Sequence, residues 1–432
     1  MDGRFQSATW LGWAKALPDE LLRARPVLSV AYAWAFLNGG DLEAAHRTLA
    51  DAMANFLKVG SLHFAISGTY GLADIRRAQG RLREAIKTYT QALQFALQEG
   101  EPLLRGTADL YLGLSELYRE QGDRDAAIQH LLRSEELGEQ AGLADWRYRL
   151  CRTQARFQET QGNLAGALDL LDEAERHYRR TPVPDVRPLA ALKTRVWVAQ
   201  GRLREALRWV REQGLSVDDE LSYLREFEHI TLARVLMAEH ARDPAGRALQ
   251  EAMRLLDRLL QAAEAGGRLG SVIEIGVLQA LAQQAQGALP PALVALERAL
   301  RPAEPEGYVR IFVDEGAPMA RLLSAAVAQG IMPGYSEKLL AAFATGDAEA
   351  QPRADKPDRP PVSPAQPLIE PLSARELEIL HLIAQGLSNQ AISALLFLAL
   401  STVKGHNRNI FGKLQVQSRT EAIARARELG LL

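Results

Sequence analysis

Glycine recurs along most of this chain at a nearly constant interval. It stands at Gly40, Gly80, Gly122, Gly162 and Gly201, in steps of 40, 42, 40 and 39 residues, and returns at Gly287 after a diverged unit near Asp243-Pro244. Five residues after each of these glycines comes an alanine: Ala45, Ala85, Ala127, Ala167, Ala206 and Ala292. Small and apolar residues at helical spacing flank each glycine, as in 31–37 and 110–118 before it and 42–49 and 82–89 after it. Each unit therefore reads as a helical hairpin. Glycine takes the positive φ that ends the first helix and turns the chain, and alanine lets the second helix approach the first closely. A lone hairpin cannot bury its apolar face, so the units must stack. The 432 residues would otherwise suggest about three globular domains at roughly 100 to 200 residues each.

The pattern stops between Gly346 and Glu370. Pro352, Pro357, Pro360, Pro361, Pro364 and Pro367 lie there among small and charged residues, with almost no apolar content before Leu368-Ile369. Such a segment forms no core and reads as a stiffened linker. The charge changes beyond it. Residues 371–432 hold seven Lys/Arg against four Asp/Glu, a basic tail hidden by the formal charge of −2 for the whole chain.

This tail carries the most specific signal. In Leu372-Ser373-Ala374-Arg375-Glu376, Ser373 as N-cap and Glu376 three residues later form a capping box ahead of the stripe Leu377, Leu380, Ile383-Ala384. Gly386 is expected to end that helix. Asn389 is expected to cap a second, short one carrying Ile392 and Leu395-Leu396. After a turn through 397–400 a third helix keeps Val403, Ile410 and Leu414 on one side. Ser418 can cap a fourth helix, closed by Gly430. Two short helices joined by a tight turn, the second with a basic face, form a helix-turn-helix. Lys404 and Arg408 are four residues apart and share a face, with Asn407 expected beside them. Both cations can donate to guanine O6 and N7 in the major groove and attract phosphates.

The strings at 372–376, 383–390 (Ile-Ala-Gln-Gly-Leu-Ser-Asn-Gln), 402–406 (Thr-Val-Lys-Gly-His), 409–410, 413–414 and 418–422 (Ser-Arg-Thr-Glu-Ala) resemble the LuxR/GerE-type DNA-binding domain. The resemblance implies that Lys404 and Arg408 face bases and that Thr402, Asn407, Lys413 and Arg419 contact the DNA backbone. It also implies that the fourth helix pairs in a homodimer on double-stranded DNA. His406 is a further candidate for a phosphate. Some positions depart from the family: Ala399 replaces a frequent capping Ser, which shifts the expected cap to Ser401, and Gln390-Ala391 replaces a Lys-Glu pair. Gly405 inside the recognition helix costs roughly 1 kcal/mol against Ala.

The repeats resemble a tetratricopeptide array of longer period than the usual ~34 residues, similar to that of MalT-like regulators over about 27–345. The segment 10–52 resembles the start of that array. Large relatives carry an ATP-hydrolysing module ahead of the repeats; this chain is either a shortened relative or the carboxy-terminal part of a longer one. The expected architecture is all-α: a tetratricopeptide-like solenoid at 1–345 for sensing or interaction, a linker at 346–370, and a helix-turn-helix domain at 371–432. The expected function is sequence-specific transcription regulation, with the solenoid sensing an effector or protein partner and the transcription machinery as a further partner. The rival reading is an interaction scaffold whose DNA module is vestigial or only dimerises.

No phosphate-loop, nucleophile-elbow or His-Glu-x-x-His motif occurs, so no enzyme, metal or cofactor is expected. Acidic residues alternating with arginine along the repeats read as a solvated surface. Tyr32, Trp34, Tyr118, Trp146 and Trp197 read as packing, with a ligand groove as the alternative. The lone cysteine, Cys151, reads as core in a reducing compartment. Without a long apolar run or the apolar core of a signal peptide at the start, the chain is expected to be cytoplasmic, with no membrane partner.

Overall fold

The computed structural model describes Gly12 and residues 25–98, 104–179, 185–350, 374–384, 387–396, 400–414, 416 and 419–428. These divide into two compact units, with the boundary between Gln351 and Pro352. No strand occurs among the described residues.

Among the described residues the first unit contains seven hairpins: α1 (Pro26–Asn38) with α2 (Leu42–Lys58), α3 (Leu62–Ala78) with α4 (Leu82–Gln98), α5 (Thr107–Glu120) with α6 (Arg124–Leu137), α7 (Trp146–Thr160) with α8 (Leu164–His177), α9 (Leu189–Ala199) with α10 (Leu203–Glu212), α11 (Tyr223–Arg242) with α12 (Ala248–Ala265), and α13 (Leu269–Ala285) with α14 (Leu289–Glu306). All six turn glycines take φ between +71° and +82°. The residue after each donates its N–H to the carbonyl five residues back at 2.8–3.0 Å, closing the first helix with a Schellman motif. Asp41, Asp123 and Asn163 then cap the second helix through the amides of Ala44, Ala126 and Gly166. All six register alanines are fully buried. The diverged unit joins α11 to α12 through 243–247 without a positive φ.

The array curls back on itself. One apolar cluster joins Ile66, Leu82 and Leu117 of the early hairpins to Ile273, Leu293 and Phe312 of the late ones. It also takes in α15 (Arg310–Val313), α16 (Ala317–Ala328) and α17 (Pro333–Ala350). The seam between α3 and α13 is close: a Cβ on Gly80 would fall 2.8 Å from Leu269 Cβ, and one on Gly270 would fall 3.1 Å from the Arg77 carbonyl oxygen. Val309 N donates to Glu120 O at 2.9 Å, and Gln121 Nε2 to Glu306 O at 2.9 Å.

The linker was expected to begin at 346, but α17 continues to Ala350. Ala348, Glu349 and Ala350 are good helix formers, and the first proline, which disfavours the α conformation in the residue before it, arrives only at Pro352. Residues 351–370 lie outside the described residues.

The second unit contains α18 (Ala374–Ala384), α19 (Asn389–Leu396), α20 (Leu400–Leu414) and α21 (Arg419–Glu428). Leu380, Ile383, Ile392, Leu396, Val403, Ile410 and Leu414 bury against Ala422 and Ala426 of α21, so the apolar stripes meet as expected. Ser373, Gly386, Ala399, Ser418 and Gly430 lie outside the described residues. Two cap assignments change. Ser388 Oγ, not Asn389, accepts the Ala391 N–H at 3.1 Å, and Asn389 is the first helical residue. The third helix already begins at Leu400, which places Ser401 inside its first turn.

Candidate nucleic-acid interface and solenoid cavity

On α20 the residues Val403, Asn407, Ile410 and Leu414 recur at the period that keeps one helical face inward, and all four are buried. Lys404 and Arg408 fall on the other side. Both are exposed and form no ion pair among the described residues. His406 is half-buried, and the Thr402 side chain lies outside the described residues.

Asn407 does not stand beside the two cations, as the sequence reading expected. Its Nδ2 donates to Asn389 Oδ1 at 2.7 Å, tying α20 to α19, and its own Oδ1 is buried without a partner. Lys413 and Arg419 are also engaged within the unit. Lys413 Nζ lies 2.9 Å from Glu376 Oε2, and Glu376 is buried. Arg419 Nη2 donates to the carbonyls of Ile383 and Leu387, a cation placed at the C-terminal end of α18, where unsatisfied carbonyls gather. Burial lowers the Arg419 pKa. Sequence reasoning missed these three ties, although Asn407 was visible in the 403, 407, 410, 414 series.

The solenoid holds a partly open cavity of about 640 Å³ walled chiefly by the first helix of each hairpin. Two registers supply much of the wall. Six residues before the turn glycines stand Trp34, Asp74, Glu116, Arg156 and Arg195, and three before them Leu37, Arg77, Arg119, Glu159 and Val198; all ten line the cavity. The alternating acidic and arginine residues are therefore, in large part, an interior polar lattice rather than a solvated surface. The reason is geometric: the first helices face the axis of the curl, and their small apolar faces are already used against neighbouring helices.

Ion pairs cross between repeats. Arg77 meets Glu116 at 3.0 Å, Glu274 bridges Arg195 at 2.6 Å and Arg234 at 3.1 Å, and Arg234 continues to Glu315 at 2.6 Å. Burial pushes the Glu274 carboxyl up, but Arg195, Arg234 and Arg187 overcome it and hold it at about 2. Glu116 is likewise held at about 2, burial being outweighed by Arg77, Arg156 and Arg152.

Of the five aromatic candidates, Trp34 lines the cavity. Tyr32 is buried, Tyr118 stacks on His130 with centroids 5.2 Å apart, and Trp146 Nε1 donates to Ser134 Oγ at 3.0 Å. Trp197 lies under Arg202. Tyr70, Tyr148, Tyr178, Tyr223, Phe227 and Tyr308, which the sequence did not single out, join Trp34 in the cavity wall. Cys151 is buried, and burial, with Glu173, pushes its thiol up to about 12, which keeps it protonated. Among the described residues no group of three or more His, Cys, Asp or Glu could hold a metal ion, and no helix is long and apolar enough to cross a membrane.

A short helix ending at Leu396 and a second one beginning only four positions later, with exposed cations on its outer side, are the helices of a helix-turn-helix module, here following a helical-hairpin solenoid. Residues 15–329 match the MalT-like TPR region, and residues 370–426 match the bacterial regulatory proteins of the luxR family. The chain belongs to the MalT-like TPR family and carries a luxR-family module behind its repeats. Among curated proteins it is similar to the response regulator protein VraR of Staphylococcus aureus and of Staphylococcus saprophyticus. Each is 48% identical over 65 residues, which cover 15% of this chain and 31% of the relative. The chain thus spans about a third of the length of these relatives.

Proposed function

We propose that this chain is a DNA-binding transcription regulator in which α20 enters the major groove. The observation that carries the reading is the pair Lys404 and Arg408, exposed and without ion pairs among the described residues on the side of α20 opposite its buried face. Such cations have no ion pair with those residues to surrender on binding DNA. Thr402 and His406 serve phosphates. Asn407, Lys413 and Arg419 position the recognition helix through their contacts inside the module. The module binds as a homodimer through α21, with half-sites about one helical turn apart.

The solenoid senses an effector or protein partner in the cytoplasm, and the proline-rich segment from Pro352 tethers the two units. The transcription machinery is the downstream partner. Support for sensing comes from the partly open cavity lined by both charged and aromatic side chains, whose size suits a small molecule.

Selection of bound fragments from a random DNA pool, followed by a gel shift across salt concentrations, tests the DNA reading. Lys404→Ala and Arg408→Ala should each weaken specific binding by about 1–3 kcal/mol if they read bases. Each should also reduce the salt slope by about one if it meets a phosphate. Unchanged affinity and slope in the double variant would remove the assignment. Absence of any DNA shift at low salt, with one tight protein partner recovered, would select the scaffold reading.

A further inference from the structure

The cavity wall gathers one group of arginines with few direct partners among the described residues. In the register six residues before the turn glycines, Asp74 and Glu116 share Arg77 at 2.9 and 3.0 Å, and Arg195 has Glu274. Arg156 comes between Glu116 and Arg195 in that series. Among the described residues its guanidinium makes neither an ion pair nor a hydrogen bond. Arg187, just ahead of α9, lines the same cavity and is equally without such partners. The guanidinium carbon of Arg187 lies 5.4 Å from the centre of the Phe227 ring, and that of Arg195 lies 3.7 Å from the same centre. Two cations therefore share one aromatic ring. Arg195 Nη2 is buried and has no hydrogen-bond partner among the described residues.

Gathered in one cavity, these like charges oppose one another. Burial, then Arg77 and Arg156, lowers Arg187 to about 10 against the pull of Glu274. Arg195 is lowered to about 10 by burial, with Arg234 and Arg156 adding to it and Glu274 opposing. Burial and Arg119 lower Arg156 as well. Of the facing carboxylates, Glu274 is divided between Arg195 and Arg234 and Glu116 pairs with Arg77, while Glu116, Glu120 and Glu159 act on Arg156 only through the longer-range attraction that partly offsets its burial. Glu159, raised by burial, forms no ion pair among the described residues.

We propose that Arg156, Arg187 and Arg195 form an oxyanion subsite in the solenoid cavity, which takes the carboxylate or phosphate of a small organic molecule whose apolar part lies on the aromatic wall. Such a group supplies the missing partner of Arg195 Nη2 and of two guanidiniums whose planar forks match oxyanion geometry. The volume of about 640 Å³ falls within the roughly 300–1,000 Å³ usual for small-molecule sites. This inference rests on the sensing role proposed for the solenoid and assigns its ligand class.

The test titrates the full chain by calorimetry at constant ionic strength, with inorganic phosphate, pyrophosphate and citrate in separate arms and thermal unfolding alongside. Saturable binding and a raised Tm are expected for at least one probe, and the phosphate and citrate arms distinguish the two chemistries. R156Q and R187Q break no ion pair or side-chain hydrogen bond among the described residues, R187Q giving up only the contact with Phe227, so both should fold, with a Tm close to that of the unsubstituted chain in the absence of anion. Both should bind the best probe about tenfold more weakly or worse, as loss of a charge-assisted fork demands. R204Q, on the exposed side of α10, should bind as the unsubstituted chain does. No saturable binding of any probe, or unchanged binding in both R156Q and R187Q, overturns the proposal. A gel shift on the same preparations is scored separately. DNA binding without anion binding removes the subsite and leaves the regulator reading standing; anion binding without DNA binding does the reverse.

Discussion

Lys413 Nζ sits 2.9 Å from Glu376 Oε2, joining the last turn of α20 to the first turn of α18. Glu376 is buried and Lys413 partly so, which means that removing the lysine takes one cation away from a carboxylate held in a poor solvent. Lys413→Met should destabilise the module by about 2 kcal/mol or more, below the about 3–5 kcal/mol of a fully buried pair because the lysine retains some exposure. Chemical denaturation followed by circular dichroism reads this. If Lys413 instead acted mainly on DNA, stability would hold and only affinity would fall.

Asn407 carries a buried Oδ1 without a partner, while its Nδ2 is used on Asn389. Asn407→Val removes an unsatisfied acceptor, a liability of about 1–3 kcal/mol, along with one hydrogen bond worth about 1 kcal/mol. The expected result is a module as stable as the parent or more so, with DNA affinity unchanged. A loss of affinity at constant stability would return Asn407 to the DNA interface.

Gly80 and Gly162 hold the same place in their repeats, with φ of +77° and +74°, but differ in surroundings. Gly162 faces open space, whereas a side chain on Gly80 would meet Leu269 and the Gly270 backbone. Gly162→Ala should cost about 1–2 kcal/mol for the left-handed backbone alone. Gly80→Ala should cost that plus about 1–3 kcal/mol for forcing the seam apart. Equal losses of Tm would mean that the seam between early and late hairpins is not closed in solution.

Acid should loosen the solenoid in a window set by its lattice. Glu274 and Glu116 titrate at about 2 in the fold against an ordinary value of 4.5. The unfolded chain therefore takes protons first, and the stabilisation is full above about pH 4.5 and is lost as the pH falls toward 2. Glu120 and Glu159, raised by burial, act in the opposite sense: their strain is relieved on protonation as the pH falls through their raised values. Tm should hold or rise slightly from pH 7 to about 5 and then fall. Glu274→Gln should lower Tm at pH 7 yet flatten the fall below pH 4.5. An acid limb of the same steepness in both proteins would show that Glu274 does not drive it.

The hairpins were legible because turn chemistry is local. A glycine at positive φ and an alanine five residues later act within one unit, so spacing alone reveals them. The capping exchange between Asn389 and Ser388 was not legible, since both residue types cap helices and only the backbone decides which stands one place outside. The inward turn of Asn407 was present in the periodicity but was masked by a polar side chain on an apolar face.

By itself the sequence determined the stack of hairpins, the tetrahelical tail and the outward pair Lys404 and Arg408, because each depends on contacts within about one helical turn or one repeat. Only the tertiary structure decided that Arg156, Arg187 and Arg195 face one cavity. A helix that is polar on its far side looks the same in sequence whether that side meets bulk water or the hollow of a closed curl. The curvature separating the two accumulates from small rotations at every repeat, and it becomes definite only where Gly80 meets Leu269 across nearly two hundred residues of chain.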